Sequence, residues 1–289
     1  MPIVETSHEF SLAYEWVSVR LLRVLSISKG ERMNTDWNPE LYLRFNQERT
    51  QPAIDLLKRI DIHAPQKILD VGCGPGNSTR PLAQRWPEAH VFGIDSSVAM
   101  IEKAKADYPT SQWAVMDALD IRYANQFDIV FSNAVIHWIP DHESLIRRLV
   151  QALTEQGVLA IQMPLYHEMP VYALVDQLYH EMFPESRFAI GSVFNFHSAD
   201  YYYDLLSQLP CAFSLWETSY IHVMTSHQQI VDMIKSTGLK PYLDEIRDDA
   251  QKTDFANAVL YNLPAIYPRQ RDGRVLFPFK RLFLIAGKG

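Results

Sequence analysis

Cysteine is nearly absent from this chain: 289 residues hold only Cys73 and Cys211. The two are far apart and lack metal-ligand spacing, so neither a disulfide framework nor a thiolate metal site is expected. A reducing compartment, the cytoplasm, fits that usage. Positive charge is also scarce, with 27 Lys and Arg against 34 Asp and Glu, a formal net charge of −7. Nucleic-acid binding requires concentrated cations, so an RNA or DNA partner is disfavoured. No apolar run is long enough to span a membrane. His167-Glu168 and His180-Glu181 each lack the second histidine of a zinc helix, and no nucleophile triad is evident, so no metal is expected. Internal repeats, low-complexity tracts and Gly/Ser linkers are missing too. What remains is a chain of 47% hydrophobic and 21% charged residues, ordinary for one sizeable globular unit.

Residues 1–32 read as an N-terminal extension to a single domain over 33–289. The stretch 10–25 is apolar-rich, but Glu15, Arg20 and Arg23 interrupt it and no small-residue cleavage site follows, so a secretory signal fits poorly. Leu12, Trp16 and Val19 allow a short amphipathic helix. Met33 is an alternative start, because Lys29-Gly30-Glu31 requires purine-rich codons that could form a ribosome-binding sequence.

From Trp37 onward helix and strand signals alternate, which predicts an α/β fold with a mainly parallel sheet. Ala53, Leu56, Leu57 and Ile60 share one helical face, with Pro52 suited to the first turn of that helix. Short apolar runs at 67–71, 91–95, 113–117, 127–132 and 157–162 read as strands buried on both faces. Ile146, Leu149, Val150 and Leu153 form a helical stripe after Asp141, a plausible N-cap region. Residues 213–224 and 281–286 read as further strands. The aromatic-rich stretch around 165–210 is expected to form a lid or substrate insertion.

The strongest motif is Ile68-Leu69-Asp70-Val71-Gly72-Cys73-Gly74-Pro75-Gly76-Asn77-Ser78-Thr79. Glycines permit a sharp turn and close approach of a ligand to the backbone, and a helix starting near Gly76 would aim amide N–H groups at a carboxylate. Asp95 ends the second strand, where a carboxylate can accept from both ribose hydroxyls, and Asp117 ends the third, near an adenine amino group. Three such features in strand order define a nucleoside site at the carboxyl edge of the sheet. The spacing G-x-G-x-G departs from the G-x-G-x-x-G dinucleotide fingerprint, which disfavours a nicotinamide oxidoreductase.

These residues resemble class I S-adenosylmethionine (SAM)-dependent methyltransferases. The resemblance implies a Rossmann-like, seven-stranded sheet with one antiparallel strand near its carboxyl end, helices on both faces and a helical lid. It implies SAM as cofactor, with Asp70, Gly72, Cys73, Gly74, Gly76 and Asn77 at the methionine part. Asp95 would hold the ribose and Asp117 the adenine, main-chain atoms near Asn133 and Ala134 after the fourth strand would meet the methionine portion, and Ser96, Met100, Ala118 and Trp138 complete the cofactor-binding set. Asp36-Trp37-Asn38-Pro39-Glu40-Leu41-Tyr42, Glu48-Arg49-Thr50, Trp138-Ile139-Pro140-Asp141-His142, Gly157 to Pro164, Tyr202-Tyr203-Asp204 and Arg281-Leu282-Phe283 extend the resemblance to trans-aconitate 2-methyltransferases. That implies methyl-ester formation on a small polycarboxylate. A carboxylate of pKa roughly 4 is already a nucleophile at neutral pH, so no catalytic base is required. Tyr42, Arg49, Tyr220, His222, Lys240 and Arg281 are the candidates for holding the other carboxylates. His137, where some methyltransferases carry a base, is read as structural, and Trp37 and Trp138 as cleft walls or core aromatics. Gln51 and Lys240 stand where the family commonly has arginine, and Lys lacks Arg's planar fork. A methyltransferase for another acceptor, such as a malonyl thioester, and a non-catalytic SAM-binding protein are the alternative readings.

Overall fold

A parallel sheet needs crossover connections, and in this chain they are helices packed on both of its faces. The computed structural model describes residues 45–288. Residues 1–32, Trp37, Tyr42 and the side chain of Arg49 lie outside the described residues. Seven strands run in chain order: β1 (Lys67–Val71), β2 (His90–Asp95), β3 (Gln112–Val115), β4 (Phe127–Asn133), β5 (Leu153–Pro164), β6 (Cys211–Met224) and β7 (Val275–Lys288). Their spatial order is β3-β2-β1-β4-β5-β7-β6. β1 to β5 pair in parallel, whereas β7 runs antiparallel to both β5 and β6. The expected Rossmann-like sheet with one antiparallel strand is therefore present. Its strand order reverses between β1 and β4, which opens a crevice at their carboxyl ends.

Helix α1 (Asn46–Lys58) lays Ala53, Leu56 and Leu57 on one face of the sheet, against Ile68, Ile129, Phe131, Ala160 and Phe283. It begins six residues earlier than Pro52 suggests, so Pro52 lies inside the helix rather than in its first turn. Proline has no N–H for the usual bond one turn back, and packing of the apolar face carries the helix through that gap. α2 (Thr79–Arg85) and α3 (Val98–Asp107) follow β1 and β2. α4 (His142–Ala152) starts where expected, with the Asp141 side chain accepting from Ser144 N at 2.9 Å. Leu153 already belongs to β5, which is longer than its apolar centre suggests.

The lid has two origins. The β5–β6 crossover supplies α5 (Pro170–Met182) and short 3-10 turns at Tyr166–Glu168 and Ile190–Ser192. The β6–β7 connection supplies α7 (His227–Lys235), α8 (Lys240–Glu245) and α9 (Asp249–Ile266). Val171, Val175 and Tyr179 of α5 share one core with Ile230, Ile234, Tyr242, Phe255 and Val259 from the later helices. Helix α6 (Ala199–Ser207), inside the stretch expected to be lid, instead packs Tyr202, Leu205 and Leu206 with Leu282, Leu284 and Ala286 of the sheet. Among the described residues no helix is long and apolar enough to cross a membrane.

Candidate active site

The glycine loop closes over the carboxyl end of β1. Gly72, Gly74 and Gly76 all have positive φ, at 69°, 54° and 96°, a region that penalises any side chain. Their surroundings differ. A Cβ on Gly72 would stand 2.2 Å from Val135, and one on Gly76 2.5 Å from Tyr108, so protein neighbours require those two glycines. A Cβ on Gly74 would meet nothing within 4 Å. Gly74 faces a cleft lined by Thr50 and Ala53 of α1, the loop from Gly72 to Pro75, Asn77, Ser78 and Asn133. Helix α2 starts at Thr79, three residues later than Gly76, because Gly76 is still in the left-handed region and cannot join a helix.

Three acids organise this edge. Asp70 is fully buried, and its Oδ2 accepts from Ser78 Oγ at 2.7 Å and Thr79 Oγ1 at 2.6 Å, fixing the far end of the loop. Its Oδ1 is buried with no hydrogen-bond partner among the described residues. Burial pushes this carboxyl up to about 6, against the lowering effect of the two hydroxyls. Asp95 accepts from Gly74 N at 3.0 Å through Oδ2 and from Ser97 N at 2.9 Å through Oδ1. Each oxygen keeps a second lone pair, which suits a vicinal diol. Asp117, two residues past the end of β3, accepts from Leu119 N at 2.9 Å and caps the turn Ala118–Asp120. Ser96 is exposed, and Met100 is buried on α3 with its amide on Ser97 Oγ at 3.3 Å. Cys73 is buried in the loop, and burial pushes its thiol pKa up, so it stays a thiol. A buried unpartnered carboxylate oxygen for an ammonium, an acid for a diol and an open glycine fit SAM.

Beyond Asn133 the cleft meets a second group. Asn133 pairs in register with Gln162 of β5, and Gln162 with Phe283 of β7. Residues paired across strands point to the same face, so Asn133, Gln162, Phe283 and Arg281 share the face that α1 covers. Tyr220 and His222 join it from β6, opposite Phe279 and Phe277. Arg281 is only 4% exposed, with its guanidinium 4.5 Å over the Phe279 ring. Its charge, second to burial, holds His222 down to about 4 and His137 down to about 3. Ala134 follows with φ 57°, a strained setting for a residue with a Cβ.

The structure thus gathers three of the sequence's acceptor candidates, Arg281, His222 and Tyr220, on one face, and pairs a fourth with an acid. Lys240 lies on α8, where Asp244 one turn on holds its ammonium at 2.6 Å. Trp138 packs 4.4 Å from Phe194 in the aromatic core of the lid, as an aromatic of that core. Gln162 and His137 are not among the sequence's acceptor candidates. Gln162 sits in an apolar strand with no motif around it, and a lone buried histidine reads as core.

Comparison with known proteins agrees with this geometry. Residues 68–157 match the family model described as a methyltransferase domain. The trans-aconitate 2-methyltransferase of Escherichia coli K12 is 40% identical over 254 residues, covering 87% of this chain and 98% of that protein. The enzyme of the same name from Shigella flexneri matches with the same identity and coverage. Among solved structures, the YcgJ protein of Bacillus subtilis superposes with a TM-score of 0.54 at 14% identity, over 82% of this chain and 98% of that one. Phosphoethanolamine N-methyltransferase 2 of Haemonchus contortus, solved with S-adenosyl-L-methionine, gives 0.50 at 20% identity, over 82% of this chain and 52% of that one. At that identity the two structures speak to fold alone. The relatives that match along nearly their whole length decide the matter: this chain belongs to the trans-aconitate 2-methyltransferase family of class I methyltransferases.

Proposed function

We propose that this chain transfers a methyl group from SAM to a carboxylate of trans-aconitate or a similar small polycarboxylate, forming a methyl ester in the cytoplasm. One observation carries the reading: Asn133 both lines the glycine cleft and stands in register with Gln162, whose partner Phe283 is two residues along β7 from buried Arg281. A cofactor site and a cationic acceptor site therefore adjoin across one residue. A buried guanidinium near the cofactor cleft suits an anionic acceptor.

SAM, when bound, would supply an electrophilic methyl for a carboxylate oxygen, with the sulfonium sulfur as the leaving group that keeps the electron pair. The protein's part is positioning. Asp95 takes the ribose hydroxyls, and Asp70 offers Oδ1 to the ammonium. Arg281 holds a carboxylate that is not reacting, through charge-assisted hydrogen bonds. Helix α1 and the two-part lid exclude water, and alignment of oxygen, carbon and sulfur supplies the rate. No base is needed, because the nucleophile is ionised at neutral pH.

The test is incubation with methyl-labelled SAM and trans-aconitate, cis-aconitate, citrate, isocitrate and a malonyl thioester. Base-labile label on trans-aconitate is the expected result. Label on another acid would move the substrate, and none on any acid would sink the carboxyl reading.

A further inference from the structure

Two buried polar side chains, Gln162 on the acceptor face and His137 on the turn after β4, are left idle by the reaction so far. Gln162 is fully buried, and both its Nε2 and Oε1 are without a hydrogen-bond partner among the described residues. Its neighbours along β5, Leu159, Ala160, Ile161 and Met163, are all buried apolar residues. An unsatisfied buried amide is costly where leucine would cost nothing, so something other than folding accounts for it. His137 is 1% exposed, and neither Nδ1 nor Nε2 has a partner among the described residues.

Both groups are held firmly. Gln162 lies between Asn133 and Phe283 in the sheet, and Arg281 is two residues along β7 from Phe283. That diagonal spacing is within reach of long side chains. His137 lies on the turn Ile136–Trp138 directly after β4. His142 fixes this turn, its Nε2 2.7 Å from Ile136 O and its Nδ1 2.7 Å from the Tyr202 hydroxyl. The His137 carbonyl accepts from Asn195 N of the lid at 2.8 Å. The ring sits 5.4 Å from Tyr166, which packs 5.9 Å from Phe279, the ring that Arg281 lies over, and it feels the charge of Arg281. It is therefore neutral at physiological pH, with one N–H to donate.

We infer that Gln162 and His137 determine acceptor specificity: with Arg281 they seat a carboxylate that is bound but not methylated, the Gln162 amide and a His137 ring N–H donating to its oxygens. This rests on the polycarboxylate reading above. A bidentate guanidinium takes one lone pair on each oxygen of that carboxylate, and neutral donors take the others without adding charge to a buried site. Such a site rejects an analogue lacking the group it hydrogen-bonds, because its own donors are then left unpaired.

The experiment compares wild type with Q162L and H137F on trans-aconitate and on glutaconate, mesaconate and itaconate, each short of a different carboxylate. Calorimetric titration of S-adenosylhomocysteine runs in parallel. Each variant should raise KM for trans-aconitate by about 10- to 100-fold with little change in kcat. On the dicarboxylate that lacks the seated group the same variant should change KM by less than about twofold. Cofactor affinity should hold in both, and Q162L should melt higher than wild type, since it removes an unsatisfied amide. H137Q, which keeps a donor, should recover part of the KM. Equal losses on all four acids, or unchanged KM on trans-aconitate, would overturn the assignment while the polycarboxylate reading stands. A wild type that methylates none of the acids would sink both.

Discussion

The Tyr220 hydroxyl donates to Asp55 at 2.9 Å, joining the outer strand β6 to helix α1 across 165 positions of sequence. Tyr220 is a sequence candidate for acceptor binding, yet its hydroxyl is spent on this contact. Burial and the Asp55 carboxylate both raise its pKa, so it remains a phenol and a donor. The bond holds the helix whose Thr50 and Ala53 line the cleft. Y220F should therefore cost about 1 kcal/mol, since the pair is partly exposed, and lower Tm by a few degrees. It should also weaken S-adenosylhomocysteine binding a few-fold. Unchanged melting with weakened acceptor binding would instead assign the hydroxyl to substrate.

The glycine loop offers a contrast between two single substitutions. G72A places a methyl 2.2 Å from Val135 and also strains φ at 69°, whereas G74A strains φ at 54° but meets nothing within 4 Å. The left-handed penalty of about 1–2 kcal/mol is common to both. G72A should add an overpacking cost of about 1–3 kcal/mol and melt lower than G74A. G74A should fold, yet lose cofactor affinity, because its methyl projects into the cleft. Thermal melts with and without S-adenosylhomocysteine separate the two: the ligand should raise Tm for G72A and fail to do so for G74A.

Much of the cofactor half is legible in the sequence because its signals are local. Each of Asp70, Asp95 and Asp117 lies at or just beyond the end of a short apolar run, and a strand end followed by glycine or an acid can be read within a few residues. The proposed acceptor half is not, because it is assembled by register. Gln162 matters through its pairing with Asn133 and Phe283, and nothing within β5 reports that pairing. Arg281 is picked out by family resemblance alone, and the resemblance equally picks Lys240, which Asp244 engages. The lid shows the same limit. α5 and α9 cover each other's apolar faces although the sheet strand β6 intervenes in sequence, so neither segment alone reveals what it packs against.

Asp70 makes cofactor affinity depend on pH. Its folded carboxyl, at about 6, lies above the ordinary value of 3.8, with burial the main cause. Its contribution to stability is thus fully present below the unfolded value and lost as pH rises through about 6. A ligand ammonium beside Oδ1 favours the anion and reverses that penalty. Binding should then release a proton, and affinity for S-adenosylhomocysteine should fall as pH drops below about 6, approaching tenfold per unit. Calorimetry from about pH 5 to pH 8 reads this directly. D70N should flatten the profile; a wild-type profile already flat would place the ammonium elsewhere.

Arg281 should separate acceptor binding from everything else. Its charge is buried beside two histidines that burial keeps neutral, and it lowers the pKa of each. R281M keeps much of the side-chain volume over Phe279 and removes the charge. Loss of one partner from a buried, hydrogen-bonded charge pair costs about 2–5 kcal/mol, which corresponds to a fall in kcat/KM of about 30- to 5,000-fold. R281K keeps the charge without the fork and should fall between wild type and R281M. The histidines should respond in the opposite sense. Relieved of the positive charge, His137 and His222 should titrate higher, because Arg281 is a lowering cause for each. Histidine NMR titrations of R281M without substrate would show both moving upward, His137 still held low by its burial. Catalytic loss without that movement would mean that Arg281 acts through the fold of β7 rather than through its charge.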